Sequence, residues 1–336
     1  MFDLRLLYIM TSLVLLTVFA VCAVFHQADF FKGSNISKQF RPSYPITKAT
    51  FMNNTHTLLY PLSQGSPDRC ALLFFGLPKH FRDIVLPSIR KHILSVNPSC
   101  DVFLHGYNIS NTNNPRNGEI NVHLHTHEVY LMSEATSIVL DNIEMFESRH
   151  NVSQYYQYFP QNRGWNFPVS MHSMLKQWYS IERVWKQMLL NEHNSSTGKL
   201  IGHYKRIGFF RSDVLYTNNI NVFDGDAVTA SFNNLYHYTN DRVFYGIRKY
   251  AELWATKRFT YVNHYMQTDF GKKNRLHSES FLYHLMSYWK IPIQFRDICF
   301  YRVRATGAIS LDDCKILLFP VETMNKWAGM YFNMSS

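Results

Sequence analysis

Residues 70–105 read CALLFFGLPKHFRDIVLPSIRKHILSVNPSCDVFLH, and this stretch decides the fold. The run from Cys70 to Phe75 is short, unbroken and apolar, as suits a parallel strand buried on both faces. The sequence Gly76-Leu77-Pro78-Lys79 breaks it. Ile84, Val85, Ile89, Ile93 and Leu94 then recur at near-helical spacing, so the pattern predicts a helix over 82–94, with Pro87 interrupting its first turns. Asn97-Pro98 ends it, and the apolar residues from Asp101 to His105 begin a second strand. Strand, loop, helix and strand within about 35 residues make a βαβ unit.

Working outward, the polar segment YNISNTNNPRNGE (107–119) reads as an exposed loop. Helices are expected over 133–149, 171–190, 246–258 and 278–289, and strands over 206–210 and 299–303. Strands alternating with helices predict an α/β class, a mostly parallel Rossmann-like sheet flanked by helices.

Upstream, residues 6–25 form a 20-residue stretch without a charge, long enough to span a bilayer as a helix. It is longer than the usual signal-peptide core, so a signal anchor is expected in preference to a cleaved leader. That reading divides the chain into a cytosolic tail (1–5), a transmembrane anchor (6–25), a stem rich in Ser, Asn, Pro and Thr (26–68), a lumenal domain (69–320) and a C-terminal tail (321–336). N-x-S/T sequons at Asn35, Asn53, Asn108, Asn151, Asn194 and Asn333 suit a secretory lumen. So do Cys70, Cys100, Cys299 and Cys314, which allow two disulfides in three connectivities.

Charged residues make up 17% of the 336, below the roughly 25% of soluble domains, and 46% are hydrophobic. A disordered or fibrous chain is thereby excluded. The net charge of +10 is dispersed, without the Lys/Arg block that marks a nucleic-acid tail. It suits an anionic small molecule, and no nucleic-acid partner is expected.

In open α/β sheets ligands gather at the carboxyl ends of the strands. The turn holding Gly76, Pro78, Lys79 and, just beyond, Arg82 is one candidate: glycine permits close backbone approach, and the two cations with a helix N-terminus favour a diphosphate. The alternative is a turn whose Gly and Pro serve geometry alone. The second candidate is Phe209-Phe210-Arg211-Ser212-Asp213, which delivers an Arg and an Asp to a strand end. Asp213 there can ligate a divalent cation and Arg211 can pair with phosphate, or the two can form an ordinary ion pair. Asp241, in Asn240-Asp241-Arg242, either caps a helix or acts at a site. His277 and Glu279 begin the late helix, as a capping arrangement or as a general base. His123, His125 and His127 would share one face of a strand, but read better as a solvated histidine face than as a metal site. Trp165, Trp178 and Trp254 can stack on sugar rings, although core packing is the commoner use.

The order of these motifs resembles GT-A-like glycosyltransferases encoded by algae, protists, bacteria and large viruses. The similar segments are FFGLPKHF, DVFLH, LKQWYSIERVW, FFRSDVLY, NDRVFYG, KYAELWATKRF and HSESFLYHL, spread from Ala71 to Cys314. The resemblance implies a GT-A-like fold and transfer of a sugar from a nucleotide sugar to a glycan or glycoprotein acceptor. It implies a membrane-anchored type II enzyme of the Golgi or endoplasmic reticulum. Asp213 would lie near the diphosphate and a Mn²⁺ or Mg²⁺ ion, although R-x-D replaces the usual D-x-D. Lys79 would stand where related enzymes often carry Arg. Asp241 and Glu279 would bind the acceptor or serve as base. The rival readings are a membrane-anchored sulfotransferase, which lacks its Ser/Thr-rich phosphate loop here, and a non-catalytic glycan-binding domain.

Overall fold

The computed structural model describes residues 69–161, 164–193, 197–231 and 239–314. The anchor (6–25) with its tail (1–5), the stem (26–68), the end of the expected domain (315–320) and the C-terminal tail (321–336) lie outside them. So do the sequons at Asn35, Asn53, Asn194 and Asn333. No helix among the described residues is long and apolar enough to cross a membrane.

The strands, in chain order, are β1 (Cys70–Phe75), β2 (Asp101–Tyr107), β3 (Asn111–Asn114), β4 (Glu119–His123), β5 (Ser137–Asp141), β6 (Arg206–Arg211), β7 (Val214–Tyr216), β8 (Ala227–Ala230), β9 (Val243–Ile247), β10 (Gln294–Arg296) and β11 (Phe300–Arg302). The helices are α1 (81–94), α2 (Ile143–Glu147), α3 (Val169–Leu190), α4 (Arg248–Thr256), α5 (Arg258–Gln267), α6 (Asp269–Asn274) and α7 (Ser278–Tyr288). Seven strands form one sheet in the order β10-β8-β9-β6-β1-β2-β5. β9 alone runs against its neighbours, so the expected mostly parallel α/β sheet is what the chain builds.

The apolar runs explain the layering. Leu73, Phe75, Phe103 and Phe209 face one core with Trp178 of α3 and Trp254 of α4. Leu72, Phe74, Leu104 and Phe210 face the other with Val85 and Ile89 of α1. Alternate residues of each central strand are thus buried on opposite faces, the condition for a parallel sheet. α3 buries Met171, Met174, Leu175, Trp178, Ile181, Trp185 and Met188, a stripe at three- and four-residue spacing with no Gly or Pro to break it. α1 spans the expected segment, but Pro87 offers no N–H, and widened turns flank it: Val85 N–H reaches His80 O (3.3 Å) and Ser95 N–H reaches Arg90 O (3.0 Å).

Register also settles the cystines. Ala71 of β1 lies opposite Asp101 of β2, which brings Cys70 beside Cys100, and the two are bonded. Cys299 pairs with Cys314.

Three expectations need correction. The helix expected over 133–149 is instead β5 followed by the short α2; Ile138-Val139 is a β-branched pair that extends along β2, and extended Asn142 (ψ 157°) separates strand from helix. The helix expected from 246 begins at Arg248, because Gly246 and Ile247 still belong to β9. The late strand Phe300–Arg302 leaves the main sheet and pairs antiparallel with β7.

Candidate functional site

Parallel strands deliver their carboxyl ends to one edge, and β1 and β6 end there at Phe75 and Arg211, paired in register. Because β9 is reversed, its amino end reaches the same edge and carries Asn240-Asp241-Arg242 with it. The N-terminus of α7 closes the group: Ser278 Oγ donates to Asp241 Oδ2 at 2.6 Å, and Thr239 N–H donates to Glu279 O at 3.1 Å. Gly76, Pro78, Lys79, Arg211, Asp213, Asp241, His277 and Glu279 therefore lie on the turns and helix ends around this edge. Arg82 does not join them; its side chain is 61% exposed on α1 and faces Glu128 at 3.7 Å.

The first turn is held from beneath. Gly76 adopts φ 103°, a conformation glycine takes without strain. Its N–H donates to the fully buried Ser180 Oγ of α3 at 2.9 Å. Ser180 also contacts His105 Nδ1 (2.9 Å) and His105 O (3.0 Å), and His105 Nε2 lies 3.2 Å from Asp141. Asp141 in turn accepts from Tyr179 and Arg183. Desolvation holds the His105 pKa below its ordinary value, outweighing the opposing pull of Asp141. Gly106 passes so close that a Cβ there would sit 3.2 Å from Gly76 O and 3.3 Å from Pro78 Cδ. Lys79 is buried and bonds Glu119 Oε1 at 2.7 Å; the same oxygen accepts Ala305 N–H at 2.7 Å. Glu119 sits at the start of β4, inside the segment read as an exposed loop, and nothing in its sequence context marks it as a buried partner.

At the second turn Arg211 clasps Asp213 with two parallel bonds, Nε to Oδ1 at 2.7 Å and Nη2 to Oδ2 at 2.6 Å. Val303 N–H donates to Asp213 O, so the β7–β11 ribbon fixes this turn. Burial by itself raises the Asp213 pKa, but Arg211, with Lys79 and Arg304 behind it, more than reverses that and holds the carboxyl below the usual range. Asp241 behaves alike: burial raises it, while Arg242, Arg211, the Ser278 bond and Arg258 pull it lower overall. Gln177 Nε2 of α3 adds bonds to Asp241 O and Oδ2.

Several cations at this edge were not singled out from the sequence. Arg242 stands 3.6 Å from Asp241 Oδ1 and 3.5 Å from Glu279 Oε1, while its buried Nε and Nη1 make no hydrogen bond. Arg258, at the start of α5, is 2% exposed and stacks 4.0 Å over the Trp254 ring; its Nη1 and Nη2 are likewise without partners. Burial, partly countered by Asp241, pulls its pKa down to about 9. Burial, aided by Arg302 and opposed by Glu279, lowers the pKa of Arg116, on the β3–β4 segment. A helix-starting Arg and an Arg in a polar segment carry no sequence signal of their own. His277 lies 3.4 Å from Glu279 Oε2 and 5.3 Å, ring to ring, from Trp165; Trp178 and Trp254 are core residues.

A divalent cation would compete with Arg211 for Asp213, both of whose oxygens Arg211 bonds; Asp241 gives Oδ2 to Ser278 and Gln177, while its buried Oδ1 makes no hydrogen bond and faces Arg242 at 3.6 Å. Among the described residues no group of three or more His, Cys, Asp or Glu is placed to hold an ion. The three histidines at 123–127 do not share a strand face either: β4 ends at His123, and His127 stacks on Tyr130 in the following short helical turn.

No protein-family model matches this chain, and no curated protein does. Among solved structures it is similar to mouse xyloside xylosyltransferase 1 in its apo form, with a TM-score of 0.35 and 10% identity, over 68% of this chain and 85% of that one. A likeness so remote carries no argument, and the site is read from its own residues.

Proposed function

We propose that this protein transfers a sugar from a nucleoside-diphosphate-sugar donor to a hydroxyl of a glycan or protein-linked acceptor. The observation that carries the reading is one juxtaposition at the carboxyl edge of the sheet: cationic side chains with nitrogens that make no hydrogen bond beside a partly exposed carboxylate, Glu279. Glycosyl transfer needs both. The bond from the anomeric carbon to the diphosphate oxygen breaks, and negative charge grows on the leaving group, where Arg and Lys cations stabilise it. The acceptor oxygen bonds the anomeric carbon, and its proton passes to a carboxylate. Glu279, 19% exposed, is the better base; Asp241 is buried, hydrogen-bonded and held in its charged form, so it anchors Arg242 and Ser278 instead. His277 beside Glu279 orients it.

The same reading places the domain in the lumen of the Golgi or endoplasmic reticulum, on a membrane anchor at 6–25. Two cystines and exposed sequon asparagines at Asn108 and Asn151 support an oxidising, glycosylating compartment. The test is transfer by the full-length protein from a panel of radiolabelled nucleotide sugars to glycan acceptors. One donor is expected to turn over, and Glu279→Gln to lower kcat roughly 10²–10⁴-fold while the donor still binds. Consumption of a phosphosulfate donor instead, or glycan binding without any turnover, would overturn the reading.

A further inference from the structure

We propose that Arg242, backed by Arg258, forms a binding site for phosphate oxygens that works without a divalent cation; within the reading above, its ligand is the donor's diphosphate. Three observations point there independently of any known relative.

First, the guanidinium nitrogens are unserved. Arg242 Nε and Nη1 and Arg258 Nη1 and Nη2 are buried without hydrogen-bond partners. Burying a charged donor unbonded is costly, and natural sites that keep one generally present it to a ligand. Arg242 is ion-paired through Nη1 with Asp241 (3.6 Å) and through Nη2 with Glu279 (3.5 Å), both beyond good hydrogen-bond length. Second, the Arg258 guanidinium carbon lies 4.0 Å from the Trp254 ring centroid, a cation–π contact that holds the group without consuming its N–H groups. Third, the aspartate best placed by sequence to ligate a metal is clasped through both oxygens by Arg211. A cation competing for Asp213 would first have to break a buried bidentate pair. The guanidinium groups thus occupy the electrostatic role of a metal: they neutralise phosphate charge, and their planar forks match phosphate oxygens.

The experiment measures the unfolding midpoint of the full-length protein in EDTA, with inorganic phosphate, inorganic pyrophosphate, UDP and GDP, and separately with Mn²⁺ alone. A ligand of the folded state at a hundredfold excess over its Kd is expected to raise the midpoint by roughly 5–10 °C. Pyrophosphate or a nucleoside diphosphate should do so in EDTA, and Mn²⁺ alone should not. Arg242→Gln should abolish the response. Arg258→Met removes a buried guanidinium whose Nη1 and Nη2 make no hydrogen bond, so it should weaken the response with little loss of the unliganded midpoint, an outcome a merely structural arginine would not give. Equal responses to phosphate and pyrophosphate would support the site and assign it to a lone phosphate group. A response that appears only with Mn²⁺, that survives both substitutions, or that is absent under all conditions would overturn the proposal. Phosphate binding in EDTA by a protein that turns over no donor would leave this site standing and refute the transferase reading; turnover that requires Mn²⁺ would do the reverse.

Discussion

Ser180→Ala removes a single oxygen from a fully buried position, yet it should be among the most damaging small changes in the domain. The hydroxyl accepts the Gly76 N–H at 2.9 Å and lies 2.9 Å from His105 Nδ1. The hydroxyl's own proton goes to His105 O at 3.0 Å, so one buried oxygen serves the Gly76 N–H, the His105 carbonyl and the His105 ring together. Without the hydroxyl, a buried N–H and a ring nitrogen lose their partners. Each abandoned group costs about 1–3 kcal/mol, so the loss should be at least ~2 kcal/mol. At roughly 2–4 °C per kcal/mol for a domain of this size, the unfolding midpoint should fall by about 4–8 °C. Thermal unfolding followed by circular dichroism reads this directly, with the exposed Ser95→Ala as the comparison, expected within about 0.5 kcal/mol of the native protein. Donor KM should rise as well, because the Gly76 turn loses its support. A Ser180→Ala midpoint equal to that of Ser95→Ala would refute the reasoning.

Other perturbations act on different parts of the same edge. Lys79→Met leaves Glu119 buried with only the Ala305 N–H as partner and should cost about 3–5 kcal/mol in denaturant titration, most of it recovered when Glu119→Gln is added. Replacing Cys70 and Cys100 together by Ala opens a cross-link spanning 30 residues and should cost about 3–4 kcal/mol by loop entropy, measured as a lower urea midpoint. Acid should destabilise in two stages. His105 has a folded pKa below its unfolded value of about 6.5, so the unfolded chain binds the extra proton and stability falls as pH drops below that value. Asp213 and Asp241, whose folded pKa values are also lowered, add a second loss below about pH 4. A series of unfolding midpoints from pH 3 to 8, flat between pH 7 and 8, checks both.

How far the sequence announced this structure varies with the kind of contact involved. β1, β2 and β6 were legible because a strand buried on both faces must be a short apolar run, and α3 because one stripe faces the core. β5 was not: it lies at the sheet edge with Ile138, Val139 and Leu140 half-buried, so its pattern passed for part of a helix. The Arg211-Ser212-Asp213 turn could be placed because it directly follows a strand. Lys79 was singled out but its partner was not, since Glu119 lies 40 residues away in a polar segment and only the tertiary fold joins them. Arg82 shared the turn's charge pattern, yet one helical step past Phe81 turns it outward to Glu128. Asp241 reaches the edge only because β9 is reversed, and strand direction leaves no mark in composition or period. Arg242 and Arg258 acquire meaning only from what does not bond to them, which is a property of packing and not of sequence.

On the proposed reading, the carboxyl edge of this sheet is a donor site organised by the Arg211–Asp213 clasp. It is tested most directly by transfer activity of the full-length protein, compared between the native chain and Asp213→Asn, with the nucleotide sugar that the native protein uses. The neutral amide keeps the shape but releases Arg211, so kcat/KM should fall by about 10²-fold or more, corresponding to loss of a charge-assisted pair of roughly 3 kcal/mol. A folded Asp213→Asn protein that transfers sugar as fast as the native one would contradict the account.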